Sequence, residues 1–309
     1  MQQLIRLTVS PFLLIVALAS SGCGEAASTA PTITVNRISN WAMPAAGAKI
    51  PAPRGLTFDS NGDLFVLDDA GRILVFNPNG TVKRHWSMPE SDVGNPEGIC
   101  LFQDGRIGVA DTHYHRVVFF DRDGNVLTMH GGLGEQPGQF VYLSAITQDS
   151  AGNYYVCEYG GNDRVQKFDV DGNFVVAFGG FGTDDGQFQR PMGIVWRDGL
   201  LHVADAINNR IQTFRDDGQF VGLLGSEADR PRLHYPYDLT VGPDGDLFAI
   251  EYGGNRVTQL NLRGETRGRF GSTGHGVGEF STPWGLAVDA NGRIVVADTG
   301  NRRLVELQR

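Results

Sequence analysis

The chain has 309 residues, of which 41% are hydrophobic, so it can bury a substantial core. Its 42 glycines are about twice the usual proportion, which indicates many tight turns and favours an all-β fold. Because 26 basic residues face 35 acidic ones, the formal net charge of -9 opposes sequence-independent binding to nucleic acid, and proteins, peptides, glycans or small solutes are the expected partners.

Residues 1–22 have the pattern of a secretory signal peptide. Arg6 supplies a positive charge, residues 12–19 form an apolar stretch too short to span a bilayer as an ordinary helix, and small residues precede Cys23. The sequence ASSGC resembles the bacterial lipobox, whose cysteine is acylated, although Ser20 stands where an aliphatic residue is more usual. An exported lipoprotein of the cell envelope, anchored only through lipid on Cys23, is predicted; a plain signal peptide with an incidental cysteine is the alternative.

A flexible tether is predicted over residues 23–31, followed by one folded domain over residues 32–309. Within this domain one segment recurs six times, each copy holding a strand-like run, an acid, a short loop and an arginine that opens a second run. The period is about 43 to 47 residues, in the range typical of propeller blades. The six acids are Asp68, Asp111, Glu158, Asp205, Glu251 and Asp298.

Each copy also contains a predicted inner strand, which in four copies begins at a P-x-G motif, as in residues 53–55 and 283–285. The glycine is replaced by Ala145 in the third copy and by Asp238 in the fifth, and the strand leads into a turn that is Asx-Gly in copies such as the first and the last. A second Asx-Gly turn leads into an outermost strand, so we expect four antiparallel strands per blade. The sixth copy contains only three predicted strands, whereas residues 32–38 form an extra one. We therefore predict that the N-terminal strand completes the last blade of a closed six-bladed propeller.

The ADTGNRR segment at residues 297–303 and the linkers GQFQRP and GEFSTP resemble the NHL repeat. The resemblance covers nearly the whole chain after the tether and implies a six-bladed β-propeller that is monomeric. It says little about function, since NHL propellers include protein-interaction and RNA-binding modules, receptor-kinase sensor domains and a zinc-dependent amidating lyase. The leading hypothesis is a binding module of the cell envelope with no cofactor.

The six acids and their arginines recur at matching positions, so we assign them a structural role and seek function where the copies differ. The copies differ most at the P-x-G motifs and the acid-to-arginine loops, which we expect on one face. Aromatic rings and amides there are typical of a recognition surface. The predicted ligand-binding residues are Arg54, Glu97, His113, Tyr114, His115, Tyr159, Met192, Asn208, Tyr237, Asp238, Tyr252 and Trp284.

The alternative hypothesis is a metal-dependent hydrolase or lyase at the channel mouth, resembling propeller lactonases or the amidating lyase. Glu97 and Asp238 lie three blades apart, and with Ser144 they could offer oxygen ligands to Ca²⁺. His113 and His115 suggest zinc, but a catalytic zinc normally needs three protein ligands, and two neighbouring histidines are more often polar surface.

Cys100 and Cys157 each fall inside a predicted strand, so two buried free thiols are favoured over a disulfide, which the sequence leaves open. The segments DRDGN and DVDGN, at residues 121–125 and 169–173, resemble the start of calcium-binding loops. Because neither has the glutamate that such a loop needs at its twelfth position, both are predicted to be hairpin turns.

Overall fold

The computed structural model describes residues 31–224 and 233–309, whose strands form six four-stranded antiparallel sheets and one short parallel pair. The predicted signal peptide (residues 1–22), Cys23 and the tether up to residue 30 lie outside these described residues. The helical elements of the described part are two single-turn 3₁₀ segments, Thr112–Tyr114 and Thr299–Asn301. No helix in these two ranges is long and apolar enough to cross a membrane.

After an opening strand, β1 (Arg37–Ala42), the chain builds five blades in sequence order, and in each blade every strand pairs with the one before it. Blade one contains β2 (Pro53–Phe58), β3 (Leu64–Asp68), β4 (Arg72–Phe76) and β5 (Val82–Ser87). Blade two contains β6 (Gly98–Leu101), β7 (Ile107–Asp111), β8 (Arg116–Phe120) and β9 (Val126–Gly131). Blade three contains β10 (Tyr142–Gln148), β11 (Tyr154–Tyr159), β12 (Arg164–Phe168) and β13 (Phe174–Gly179).

Blades four and five follow the same order. Blade four contains β14 (Pro191–Arg197), β15 (Leu200–Asp205), β16 (Arg210–Phe214) and β17 (Phe220–Leu223). Blade five contains β18 (Pro236–Val241), β19 (Leu247–Glu251), β20 (Arg256–Leu260) and β21 (Thr266–Phe270). A parallel pair, β22 (Ser272–Thr273) and β23 (Glu279–Phe280), then links blade five to blade six.

Blade six confirms the predicted closure, because its order is β1-β26-β25-β24 and its fourth strand comes from the N-terminal end of the domain. Its own three strands are β24 (Gly285–Val288), β25 (Ile294–Asp298) and β26 (Arg303–Gln308). The closing strand was expected at residues 32–38 but lies at Arg37–Ala42, where Trp41 pairs with Leu304. The preceding residues instead bridge to blade five through Thr32 and Arg269.

The shift of the closing strand has a packing cause. Ile33 is 4% exposed in the core cluster between blades five and six, and its N–H donates to the carbonyl of Arg269 at 3.0 Å. Trp41, which is 7% exposed, fills the core between blades six and one and stacks on Phe76 with ring centroids 6.0 Å apart. Burial of Ile33 in one cluster and of Trp41 in the other fixes where the strand lies.

The first strand of each blade is the innermost, and each inner strand contacts the inner strand of the next blade, including β24 with β2 across the closure. The core is divided into six apolar clusters that lie between neighbouring blades. The cluster between blades one and two, for example, packs Phe65 and Ile73 against Val109 and Phe120. The outermost strands are largely exposed, as the pattern of Val82–Ser87 shows.

The two segments that resemble calcium loops are hairpin turns, as predicted. In the first, the Asp121 carboxylate accepts the backbone N–H groups of Asp123 at 2.9 Å and Asn125 at 2.8 Å. Gly124 follows with a φ of 91°, a left-handed value that glycine adopts without steric cost. The second segment repeats these contacts from Asp169.

Both cysteines in the described residues are free, so the favoured reading of two unbridged thiols is confirmed. Cys157 is completely buried, whereas Cys100 is only partly buried. Desolvation raises the pKa of Cys100 to about 12, and it raises that of Cys157 as well. Both side chains are therefore neutral packing groups at physiological pH.

Candidate ligand-binding site

Strand register brings the P-x-G motifs and the acid-to-arginine loops to one face of the ring. Pro191 pairs with Asp205 and Pro236 pairs with Glu251, so the start of each inner strand lies beside the end of the second strand. We call this the mouth face, and the face carrying the Asx-Gly turns the opposite face. The predicted gathering of the variable residues on one face follows from this register.

The six acid–arginine pairs of the mouth face are structural, as expected from their recurrence. Every acid is completely buried, and the nitrogen–oxygen distances lie between 2.5 and 2.9 Å. The arginines also bind the linkers that connect the blades: Arg210 donates to the carbonyls of Asp184 at 2.8 Å and Gln187 at 2.9 Å. Arginines of other blades make similar linker contacts, such as Arg164 with the Gln139 carbonyl at 3.1 Å and Arg303 with the Glu279 carbonyl at 2.9 Å, so these charges are already used within the fold.

A second repeated contact fixes the residue just before the inner-strand proline. In blades four to six this residue has a left-handed φ, 65° at Arg190 and 53° at Tyr235 in the first two. Its N–H donates to an Asx side chain of the preceding blade, and the pairs are Arg190 with Asp163 at 2.6 Å, Tyr235 with Asn209 at 2.8 Å and Thr282 with Asn255 at 2.7 Å. We call this hydrogen bond the clamp. The residue before the proline contributes only its backbone N–H to the clamp, so its side chain can differ between blades.

Aromatic rings and two arginines form a continuous arc on the mouth face, from blade three round to blade one. Ring centroids are 5.4 Å apart for Tyr142 and Tyr159, 5.6 Å for Tyr237 and Tyr252, and 5.2 Å for Tyr237 and Trp284. Within this series Arg190 lies over the Tyr159 ring and Arg54 lies over the Trp284 ring. We define the mouth arc as Tyr142, Tyr159, Arg190, Tyr235, Tyr237, Tyr252, Trp284 and Arg54.

The two arginines lie in different surroundings within the arc. Arg54 lies over Trp284, with its guanidinium carbon 4.2 Å from the ring centroid, and its Nη1 is 3.7 Å from Glu97 Oε1. Arg190 lies 4.7 Å from the Tyr159 centroid, and no carboxylate in residues 31–224 or 233–309 comes within ion-pair distance of it.

Burial raises the pKa of Glu97 from 4.5 to about 7, although Arg54 and Arg190 oppose the shift by favouring the charged form. The carboxyl group therefore exchanges its proton near neutral pH.

Several buried polar atoms of the mouth have no hydrogen-bond partner among the described residues. They are Arg54 Nε, Glu97 Oε2, His113 Nδ1, Arg190 Nε and Tyr237 OH. Buried polar groups in native proteins are nearly always paired, so such a concentration calls for an explanation. The mouth therefore carries several buried polar atoms that no described residue pairs.

Beneath the mouth arc a polar cavity of about 140 Å³ runs along the axis of the ring. Glu97 of blade two and Asp238 of blade five both line it, as predicted from their blade separation. Ligand pockets for drug-sized molecules usually measure about 300 Å³ or more. The channel therefore admits a small terminal group or a few water molecules, and a larger ligand has to lie on the mouth face.

Three channel residues already serve the fold. Asp238 accepts the N–H groups of Leu239 at 2.8 Å and Leu286 at 3.2 Å, and burial raises its pKa to about 7. Ser144 Oγ donates to the carbonyl of Pro191 at 2.6 Å. Met192 is 2% exposed and packs in the core between blades.

The three predicted residues of the blade-two loop lie in two different surroundings. His113 and His115 both pack on Tyr142, with ring centroids 5.7 and 5.9 Å away, so they extend the mouth arc. His115 Nδ1 also contacts the carbonyl of Val141. Tyr114 instead points to the linker, where its hydroxyl accepts the N–H groups of residues 92 and 93 at 2.8 and 3.2 Å.

Asn208 also has intramolecular partners. Its Nδ2 donates to the Gly182 carbonyl at 3.0 Å and to Asp205 Oδ2 at 2.8 Å. This amide therefore braces the loop of blade four, whereas the sequence suggested that it faces a ligand.

Three residues of the mouth arc, Tyr142, Arg190 and Tyr235, were missed by sequence reasoning. Each stands one position before the P-x-G motif or its counterpart, and the alignment considered only the positions inside the motif. The signal was present, because this preceding position varies among the copies, which hold Ala, Asn, Tyr, Arg, Tyr and Thr in chain order. Geometry adds what the alignment lacks, since the left-handed backbone at Arg190 and Tyr235 holds these side chains against the arc.

In the described residues, no group of three or more His, Cys, Asp or Glu side chains is placed to hold a metal ion. His113 and His115 lie near an aromatic ring, and Glu97 and Asp238 face one cavity from opposite blades.

Comparison with known proteins agrees with this architecture. A sequence model of the NHL repeat matches residues 94–120, in blade two, and residues 280–307, in blade six. Protein brain tumor of Drosophila melanogaster is 23% identical over 224 residues, which cover 68% of this chain and 17% of the fly protein. The chain thus spans about a sixth of the length of that curated relative.

Solved structures with the same fold include a streptogramin B lyase, with a TM-score of 0.61 and 15% identity over 88% of this chain and 97% of that one. Virginiamycin B lyase from Staphylococcus aureus has a TM-score of 0.60 and 17% identity over 88% and 99% of the two chains. At these identities the likeness establishes the fold alone. The protein is a six-bladed β-propeller in which two segments match the NHL repeat.

Proposed function

We propose that the protein is a binding module that recognises a protein, peptide or glycan ligand through the mouth arc. The observation that carries this proposal is the arc itself, in which stacked rings and two arginines adjoin buried polar atoms without partners. A few hot-spot residues supply most of the binding energy in protein interfaces, and Trp, Tyr and Arg are enriched among them. The small channel volume favours a ligand that lies across the face.

Ligand capture by point variants tests this proposal. Tyr159→Ala and Tyr252→Ala remove partly exposed rings from the arc without touching the acid–arginine pairs. Each is expected to weaken capture from an extract of the source organism by about tenfold or more. Phe174→Ala, which removes a 37% exposed ring from the outer strand of blade three, is the matched control. Equal capture by all four proteins would refute the proposed face.

The proposed location is the cell envelope, where the exported protein is held by lipid on Cys23. The lipobox-like ASSGC sequence supports this placement. Cys23→Ala is expected to move the protein from the membrane fraction to the soluble fraction and to abolish labelling by a radioactive fatty acid. A membrane-bound, unlabelled wild-type protein would contradict lipidation, and a labelled Cys23→Ala protein would place the lipid elsewhere.

A metal-dependent hydrolase or lyase at the channel mouth is the second candidate. It is favoured by the two carboxylates, Glu97 and Asp238, that face one cavity, and by the presence of lyases among proteins of similar fold. Elemental analysis of the purified protein separates the two candidates. Near-stoichiometric calcium or zinc that is lost in Glu97→Gln would favour the enzyme, whereas a folded, metal-free protein that still binds its ligand would favour the binding module.

A further inference from the structure

An open groove lies beside the mouth arc, between blades three and four. It measures about 480 Å³, and its walls are mainly apolar. Phe181 is 63% exposed and Ile207 is 48% exposed, although both are large apolar residues. Tyr159 and Arg190, both members of the mouth arc, also line the groove. This volume is within the range of sites that take several ligand groups.

Arg190 is the cation of this groove. Its Nε is buried and has no hydrogen-bond partner among the described residues. The adjacent polar groups are the hydroxyls of Tyr159 and Tyr235, which are neutral, and Glu97 acts on Arg190 electrostatically without forming an ion pair with it. A guanidinium with no carboxylate in direct contact keeps its capacity to bind an anion, and it binds a carboxylate through two parallel hydrogen bonds.

The fold does not require an arginine at this position. The equivalent residues of the other blades, which precede the inner-strand motif, are Ala52, Asn95, Tyr142, Tyr235 and Thr282. The clamp at Arg190 uses only its backbone N–H, which binds Asp163 Oδ1. The side chain is therefore available for recognition.

The charges around the groove favour an anion. Asp163 also lines it, but this carboxylate is 4% exposed and accepts the N–H groups of Arg190 at 2.6 Å and Gly161 at 3.2 Å, so backbone dipoles compensate its charge. Arg54 provides a second cation farther along the arc, against the single acid Glu97. Of the two charged residues that line the groove, Asp163 is thus compensated by the backbone, whereas Arg190 has no described carboxylate within ion-pair distance.

We propose that this groove binds a peptide segment in which a carboxylate lies next to an apolar side chain. The carboxylate pairs with the Arg190 guanidinium, and the apolar side chain covers Phe181 and Ile207. A peptide is favoured over an acidic glycan because the exposed apolar walls gain from contact with hydrocarbon rather than with hydroxyl groups. This inference rests on the proposed binding function and names the chemistry of its ligand.

Fluorescent eight-residue peptides rich in leucine and phenylalanine provide the test. Four pools combine a central glutamate or glutamine with a free or an amidated carboxyl terminus, so that a side-chain carboxylate and a terminal one are distinguished. Fluorescence polarisation should show at least about tenfold tighter binding to one carboxylate-bearing pool than to the uncharged pool. Arg190→Gln should abolish this preference, and Phe181→Ser should weaken binding of every pool.

Arg197→Gln is the matched control, because it removes the same charge from an exposed arginine at the other end of blade four. Equal binding of charged and uncharged pools, an unchanged preference in Arg190→Gln, or binding of oligogalacturonate but of no peptide would overturn the inference. If Tyr159→Ala and Tyr252→Ala still reduce ligand capture in that case, the proposed function survives without it. If they do not, both fail.

Discussion

At the scale of single residues, the blade uses its charged groups in two ways. Asp298 accepts hydrogen bonds from Ser281 N at 2.7 Å, Asn301 Nδ2 at 2.8 Å and Arg303 Nε at 2.7 Å, and it is completely buried. Glu97 is nearly as buried, yet one of its oxygens has no hydrogen-bond partner among the described residues. The fold supplies hydrogen-bond partners for the Asp298 carboxylate, whereas it leaves one oxygen of Glu97 without a described partner.

Asp298→Ala is expected to lower the free energy of unfolding by about 3–5 kcal/mol, because it leaves Arg303 and a buried N–H without their acceptor. Arg197→Ala, which breaks the exposed pair between Arg197 Nε and Asp198 Oδ2 at 3.0 Å, should cost about 1 kcal/mol or less. Urea unfolding followed by circular dichroism measures both. Equal losses in the two variants would show that the buried acids are not structural anchors.

The raised pKa of Glu97 makes stability depend on pH. Its pKa rises from 4.5 to about 7 on folding, so the folded state holds the proton more tightly and the group disfavours folding once it is ionised. The free energy of unfolding should therefore fall as pH rises from 4.5 to 7, by about 3 kcal/mol more in the wild type than in Glu97→Gln. The pKa of Asp238 is also raised, but Asp238 is present in both proteins, so its effect cancels in the comparison. Parallel pH profiles would contradict the assignment.

At the scale of elements, the closing strand β1 decides whether the ring is complete. It pairs with β26 over six residues, from Arg37 with Gln308 to Ala42 with Arg303. Without it, β26 becomes an exposed edge, and Trp41 leaves the core between blades six and one.

Deletion of residues 32–41 is expected to abolish the cooperative unfolding transition. A synthetic peptide of residues 32–42 added during refolding should restore it in part, since the missing strand can pair in trans. Trp41→Ala keeps the backbone of the strand and should lower stability by about 3–5 kcal/mol while leaving a cooperative transition. An unchanged melting curve of the deletion protein would refute the role of the strand.

At the scale of the whole molecule, the repeat made the architecture predictable. The acids recur every 43 to 47 residues, and this period fixes the number of blades, the number of strands and the need for an N-terminal closing strand. The boundary of that strand was less predictable, because burial of Ile33 and Trp41 on different blades decided it. Local β-propensity at residues 32–38 carries no information about such long-range packing.

The sequence predicted where the site lies better than it predicted which residues form it. Internal alignment located Arg54, Glu97, Tyr237 and Trp284 at the mouth, since their place in the P-x-G motif fixes where they lie. It could not show that Asn208 would bind its own blade and linker, because side-chain partners depend on the three-dimensional path of the loop.

Site-specific photocrosslinking tests the central claim that the mouth face binds the ligand. The benzophenone amino acid replaces either Phe181, in the linker between blades three and four that lines the groove, or Phe174, on the outer strand of blade three, so a phenylalanine is exchanged at both positions. The proposal predicts a discrete crosslinked product, identified by mass spectrometry in envelope extract, from position 181 and none from position 174. Crosslinking of the same product from position 174 alone, or equally from both positions, would contradict it.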